Sequence, residues 1–216
     1  MLHLSCIEGS IEDNGTIAYI ADCALQAGHR TSMLKIGEIG LAGGDAFVDL
    51  KDRPIDWMFK LYPWEWIFED EFGKSPAMRK TSWLEPPWKA ILSNKGMLVH
   101  LFKMEPNHPN ILPAYFEYDP EKEALGSRFA KKPIYSREGA NILLVDGDQV
   151  AGRSGGDYGE EGHIRQALVR LPEFQGKYPV VGSWIVGDLA CGLGVREDTK
   201  LITTDDSRYL PHAIIG

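Results

Sequence analysis

The 216-residue sequence predicts an α+β fold, a strand–helix–strand unit followed by a half rich in antiparallel strands. Three observations carry that expectation. Two short apolar runs, Leu2 to Cys6 and Thr31 to Ile36, flank a segment whose apolar residues Ile17, Ile20, Ala21, Ala24 and Leu25 recur at helical spacing. In the second half, Asp146-Gly147 and Gly187-Asp188 each separate two apolar runs in the manner of a tight hairpin. The apolar share, 44%, is enough for an ordinary globular core.

In order, Asp13 or Asn14 can cap the first helix and Gly28 ends it. Glu12 and Asp13 then fall at the carboxyl end of the first strand, where open sheets place their ligands, although Asp13 can equally be a helix cap and nothing more. Phe47 to Leu50 and Ile55 to Tyr62 are strands separated by a turn through Pro54. Five of the six tryptophans lie between Trp57 and Trp88, an aromatic concentration that reads as core rather than as a platform for stacked bases, because the acids among them would repel a polyanion. Ser93 or Asn94 caps a helix running through Met97, Leu98, Leu101, Phe102 and Met104. That places Lys95 in the first turn, where a cation is unfavourable unless an anion offsets it, either a phosphate or Glu85.

The most informative stretch begins at the next strand, Ser127 to Ile134. Lys132 stands near its end, and a polar turn, Ser136 to Asn141, leads to the apolar run Ile142 to Val145. A lysine ending one strand, beside a loop of small residues, can hold phosphate oxygens through its charge and through loop amides. A plain hairpin with a solvated lysine fits the same residues. Ala151 to Gly162, with five glycines in twelve residues, has the composition of a flexible flap. Ile164 to Leu171 is a further strand. Val180 to Val186 and Ala190 to Arg196 form the last hairpin.

Net charge is −8, with acids and bases interspersed, which argues against a nucleic-acid or anionic-membrane surface. No apolar run reaches membrane length, and no basic-then-apolar leader opens the chain. Cys6, Cys23 and Cys191 lack metal-ligand spacing and are expected to be buried reduced thiols of a cytoplasmic protein.

Several longer motifs occur in collinear order: Lys60-Leu-Tyr-Pro-Trp-Glu-Trp66, Glu85-Pro-Pro-Trp-Lys-Ala-Ile-Leu-Ser-Asn-Lys-Gly96, the Lys132 to Asn141 loop, Gly182-Ser-Trp-Ile-Val-Gly187 and Ser207-Arg-Tyr-Leu-Pro-His212. Through them the chain resembles the glutathionylspermidine synthase family, ATP-grasp enzymes that join a carboxylate to an amine. The resemblance implies an ATP-grasp-like fold, with residues 1–60 as a substrate-side part and residues 61–216 as the nucleotide-binding part. It also implies ATP and magnesium as cofactors, and a small-molecule carboxylate (a glutathione-like peptide among the candidates) and an amine as partners. Lys95 and Lys132 match the phosphate-holding lysines, and Arg137 with Glu138, Gly139 and Ala140 matches the loop that closes over them. Gln166, Ala167, Leu168 and Val169 match the hinge whose backbone reads adenine, while Leu201 and Ile202 line the base or ribose. Arg196 matches the arginine at the reacting carboxylate. Glu12, Asp13 and Leu61 fall on the substrate side. Arg208 stands where the polyamine-using relative carries an acid, so a polycation would be repelled.

The family's magnesium ligands lie in an Arg-x-Asp segment and a Glu-x-Asn strand before the matched region, so the chain is expected to hold the carboxyl-terminal catalytic part alone and to be inactive by itself. Two other readings compete with a ligase. One is a nucleotide-binding remnant without turnover, and the other is a structural or aromatic-ligand domain in which Lys95 and Lys132 lie far apart.

Overall fold

A computed structural model describes residues 1–215 and shows two compact units, one running to Ile91 and the other from Leu92 onward. The expected division after residue 60 falls at the end of the strand Trp57–Leu61, and the segment beyond it returns to add the strand Ser82–Leu84 to the same sheet.

In the first unit, β1 (Leu2–Cys6) leads into helix α1 (Ile11–Gln26) and back into β2 (Thr31–Lys35). The helix starts earlier than Asp13 suggests. Ser10 is its cap, with Oγ accepting from the Asp13 amide at 3.1 Å, and this leaves Glu12 and Asp13 as first-turn acids suited to the positive helix end. A short hairpin, β3 (Gly40–Ala42) and β4 (Ala46–Val48), precedes β5 (Trp57–Leu61), helix α2 (Trp64–Glu69) and β6 (Ser82–Leu84). The main sheet runs β2-β1-β5-β6 and every neighbouring pair is parallel. Of its central strands, β1 is buried on both faces and β5 on one, at Met58 and Lys60. Leu4, Cys6, Ile17 and Ala21 form the core between β1 and α1, while Leu34, Phe47, Ile55 and Met58 form the core on the opposite side with Ala77. Of the tryptophans expected in the core only Trp64 is buried; Trp57, Trp66 and Trp88 are exposed, because a four-stranded sheet has room for few large rings on each face. The thiols likewise divide. Cys6 is buried, whereas Cys23 lies on the outer face of α1 and Cys191 on an exposed strand, and all three are free.

A polar cluster is built into this core. His3, fully buried on β1, places Nε2 3.3 Å from Asp49 Oδ2. Asp49 also accepts from Arg53 Nε at 2.8 Å and from the Lys51 and Arg53 amides at 2.9 and 3.0 Å. The Arg53 guanidinium is the main cause that holds the Asp49 carboxyl far below the ordinary carboxylate range, outweighing burial, with the two amides and His3 adding to it. A depressed carboxyl contributes stability above its unfolded value, about 3.9, and that contribution is lost as pH falls below it. Asp49→Asn should therefore lower the urea midpoint at pH 7, and the gap between variant and parent should narrow towards pH 3. A gap that is constant with pH would show that Asp49 contributes by packing alone.

The second unit holds α3 (Gly96–Met104), β7 (Ala114–Phe116), β8 (Arg128–Pro133), β9 (Leu143–Asp146), β10 (Gln149–Arg153) and β11 (His163–Ala167). These strands make a five-stranded antiparallel sheet in the order β10-β9-β8-β11-β7. A second antiparallel sheet follows, with β12 (Tyr178–Val186), β13 (Leu189–Asp198) and β14 (Arg208–Leu210) side by side. The β12–β13 turn has Gly187 at φ +52° and Asp188 at φ +66°, the paired left-handed geometry that matches strand twist. The helix expected to start at Ser93 or Asn94 begins at Gly96, with Lys95 at the cap position and no side-chain cap. Gly96 is fully packed there, since a Cβ would lie 3.2 Å from the Phe116 ring.

Candidate functional site

The second unit encloses a cavity of about 570 Å³. Its apolar part comes from sheet and loop residues together. Ala130 on β8, Leu144 on β9 and Ile202 form a buried cluster, with Ile142, Leu168 and Leu201 packed against it. Alternation along β8 and β11 turns Lys132 and Gln166 towards the same space as Ala130. Lys132 Nζ donates to Gln166 Oε1 at 2.8 Å, and burial pushes the Lys132 ammonium below the ordinary lysine value. A desolvated cation beside an apolar slot suits a ligand that is flat and apolar at one end and anionic at the other.

Glu138 and Gly139 close one side of the cavity, and Ala167, Val169 and Arg196 complete the set of expected residues that line it. The loop is held in this shape by its backbone. Glu138, Gly139 and Asn141 all have φ between +53° and +72°. Gly139 approaches the Leu201–Thr203 segment so closely that a Cβ would lie 2.3 Å from the Thr203 carbonyl oxygen. Ala140 lines a neighbouring cleft of about 740 Å³ that shares Glu138, Gly139, Leu201 and Ile202 with the first. The glycine-rich stretch after β10, expected as a flap, is stitched to this loop. Ser154 Oγ donates to the Gly139 carbonyl and accepts from the Ile142 amide at 2.9 Å, while Asn141 donates from its side chain to the Tyr158 carbonyl and from its amide to Gly155.

Arg196, on β13, donates to the Thr204 carbonyl and lies over the Tyr209 ring at 5.5 Å. Its Nε is buried without a hydrogen-bond partner among the described residues. Lys95 and Arg137 line neither cavity. Lys95 instead supports the loop: its Nζ donates to the Ser136 carbonyl at 2.6 Å and to the Ser136 hydroxyl at 2.7 Å, and its amide donates to the Ile134 carbonyl. Lys95 and the Lys132 to Asn141 loop are thus brought together, through Ser136.

The remaining expected residues stand elsewhere. Arg208 is exposed on β14 and pairs at 2.6 Å with Glu197, which also accepts from Lys177 at 2.8 Å. Lys177 first and Arg208 second hold the Glu197 carboxyl below its ordinary value. Glu12, Asp13 and Leu61 belong to the first unit, the two acids in the first turn of α1 and Leu61 at the end of β5, packed against the Leu4 and Cys6 cluster. Beside those acids the sequence reading missed Lys35, whose Nζ bonds Asn14 Oδ1 and lies 3.7 Å from Cys6 Sγ. The signal for it was register, since Cys6 and Lys35 end adjacent parallel strands opposite one another. Asp146 and Tyr178, which line the main cavity, were also missed. Among the described residues, no group of three or more His, Cys, Asp or Glu side chains is placed to hold a metal ion. None of the described helices is long and apolar enough to cross a membrane.

The chain is mixed α/β, and the cavity of its second unit is lined by Lys132, Arg170 and Arg196 beside the Glu138–Gly139 turn. Residues 1–215 match the family described as glutathionylspermidine synthase preATP-grasp, and the chain belongs to that family. The family's description names the pre-ATP-grasp part rather than the carboxyl-terminal part that the sequence reading expected. The chain is 41% identical over 222 residues to a Haemophilus influenzae protein named "Putative acid–amine ligase", covering 99% of this chain and 56% of that one. It is 41% identical over 170 residues to trypanothione synthetase of Crithidia fasciculata, covering 76% of this chain and 25% of the relative. Against the bifunctional glutathionylspermidine synthetase/amidase of Escherichia coli it is 27% identical over 230 residues, covering 95% and 37%. The chain thus spans about half the length of the first of these relatives and less of the other two.

Proposed function

We propose that the second unit binds ATP and serves a carboxylate–amine ligase that forms an amide through an acyl phosphate. The observation that supports this most is the convergence on one cavity of Lys132, Gly139, Gln166, Leu168, Arg196 and Ile202, residues drawn from four separate stretches of the chain. In this reading the base lies in the slot made by Ala130, Leu144, Leu168 and Ile202, and the Gln166–Val169 backbone faces its edge. Lys132 and the Glu138–Ala140 amides face the phosphates, which suits a reaction whose transition state is stabilised by fixed positive groups. Lys95 holds the loop through Ser136, Arg137 belongs to the part of it that closes over the phosphates, and the stitched glycine-rich stretch excludes water from a reactive intermediate. Arg196, which lines the same cavity, receives the reacting carboxylate. Bound ATP supplies the phosphoryl group that activates that carboxylate.

The substrate-side residues in this reading are Glu12, Asp13 and Leu61, with Arg208 disfavouring an amine as highly charged as spermidine. The acid is a small carboxylate, with a glutathione-like peptide within the class. The reaction also calls on magnesium, and no cluster of three or more candidate metal ligands stands among the described residues. The 216-residue chain on its own is therefore expected to bind ATP without forming an amide, which is also what a nucleotide-binding remnant would do. Incubation with ATP, Mg²⁺ and candidate acids, with and without amines, should give no acid-dependent ADP release, while ATP binding is measured in parallel by calorimetry. Acid-stimulated ADP release would overturn the expectation of inactivity, and failure to bind ATP would overturn the nucleotide reading itself.

A further inference from the structure

The segment Gln166 to Leu171 leaves the sheet along the cavity, and its backbone anchorage weakens as it goes. The Ala167 amide donates to the Pro113 carbonyl at 2.8 Å, whereas the Leu168 amide reaches the Arg128 carbonyl only at 3.4 Å. Beyond that point a side chain takes over. Arg170 places Nε 2.8 Å and a terminal nitrogen 2.6 Å from Asp146 Oδ2. The other oxygen of Asp146 accepts from Arg128 Nε at 2.9 Å. Asp146 ends β9 directly opposite Arg128, which begins β8. One carboxylate therefore joins two sheet strands to the segment that leaves them, and both Asp146 and Arg170 stand in the cavity wall.

We propose that Asp146 is a positioning residue that fixes the distance between the Leu168–Val169 wall and the Ala130–Leu144 floor, and so sets how well the cavity grips a flat ring. This rests on the nucleotide reading of the same cavity. The Arg170 side chain is 72% exposed, and ion pairs of that kind contribute little to global stability. Their geometric effect can still be large, because a ring held between two apolar walls loses contact steeply when either wall moves by a fraction of an ångström.

The test separates the ring from its phosphates. Calorimetry measures binding of ATP and, independently, of inorganic tripolyphosphate to the parent chain, D146N, D146E and R170Q. The expected result is that D146N and R170Q each weaken ATP about tenfold while tripolyphosphate binding and the unfolding midpoint stay unchanged. D146E should recover most of the loss, and combining D146N with R170Q should cost no more than either alone, since both cut the same tether. Unchanged ATP affinity in D146N or R170Q overturns the proposal, as does an equal loss of ATP and tripolyphosphate, the mark of a merely structural carboxylate. A parent chain that binds neither probe removes the nucleotide reading and this proposal with it. If the parent binds ATP and the variants match it, the positioning role alone falls.

Discussion

Lys132→Met is expected to abolish ATP binding, weakening it about 100-fold or more, while making the empty protein more stable. The first effect follows from removing a buried, hydrogen-bonded cation from a cavity that would otherwise meet phosphate charge, a loss of several kcal/mol in comparable buried pairs. The second follows from the direction of the Lys132 shift, which burial drives below the ordinary value. Below the folded-state value both folded and unfolded chains carry the proton, so folding bears the full cost of burying the charge. As pH rises towards the unfolded value, about 10.4, the folded chain releases the proton first and the cost disappears. The variant should thus melt about 2–4 °C above the parent at pH 7 and converge with it near pH 10. Thermal unfolding at both pH values, set beside calorimetry with ATP, checks the pair of effects. A variant that loses stability at pH 7 would mean that the Gln166 hydrogen bond matters more than the buried charge.

Gly139→Ala is the second large effect. The residue sits at φ +72°, where a side chain is strained, and its Cβ would lie 2.3 Å from the Thr203 carbonyl and 2.8 Å from the Ile202 side chain. The Thr203 backbone has little freedom to give, so the Glu138–Ala140 loop must lift away from the Leu201–Thr203 segment. Both cavities are lined by Glu138, Gly139, Leu201 and Ile202. The expected outcome is a stability loss of about 1–3 kcal/mol together with loss of ATP binding. Gly147→Ala supplies the control. It also has a positive φ, +68°, but nothing lies within 4 Å of its Cβ, so it should lose stability without losing the ligand. Equal ligand loss in both variants would show that backbone strain rather than the collision is responsible.

The chain's regular elements were legible where pattern and punctuation agreed. The Leu2–Cys6 strand, the helix with Ile17 and Ala21 inward and the hairpin around Gly187-Asp188 all announce themselves by period and turn residues. The tryptophans did not, because ring size argues for burial while available area decides it, and Trp57 and Trp88 stand outside. The cap of α1 was misjudged because Ser10, Asp13 and Asn14 all have capping chemistry and only the backbone angle at Ser10 selects among them. At the site, Lys132 was marked by its place at a strand end before a small-residue loop, whereas Gly139, Gln166 and Ile202 were named through resemblance, and no spacing rule in the chain joins them. Asp146 escaped notice since a turn-forming Asp-Gly explains it fully until the register sets it opposite Arg128. Lys95 was placed near phosphate by its odd charge at a helix start, and its ammonium donates to Ser136 in the loop after β8.

The contrast between the two sheets bears on how the chain reaches this state. In the first unit Leu2 must find Trp57 in parallel register, with α1, β2 and the small hairpin already threaded between them. In the second, β9 meets β10 and β12 meets β13 across turns of two residues. Closing a long loop costs more chain entropy before any contact repays it, and parallel pairing cannot begin from a tight turn. The hairpins around Gly147 and Gly187 can therefore assemble on the microsecond scale of isolated hairpins, well before β1 finds β5. During synthesis the order of emergence runs the other way, with the slow parallel sheet leaving the ribosome first and the quick hairpins last. Pulse-labelling of amides during refolding would show protection arising at Val181 and Val195 ahead of Leu4 and Met58, so the part of the chain made last would be the part settled first.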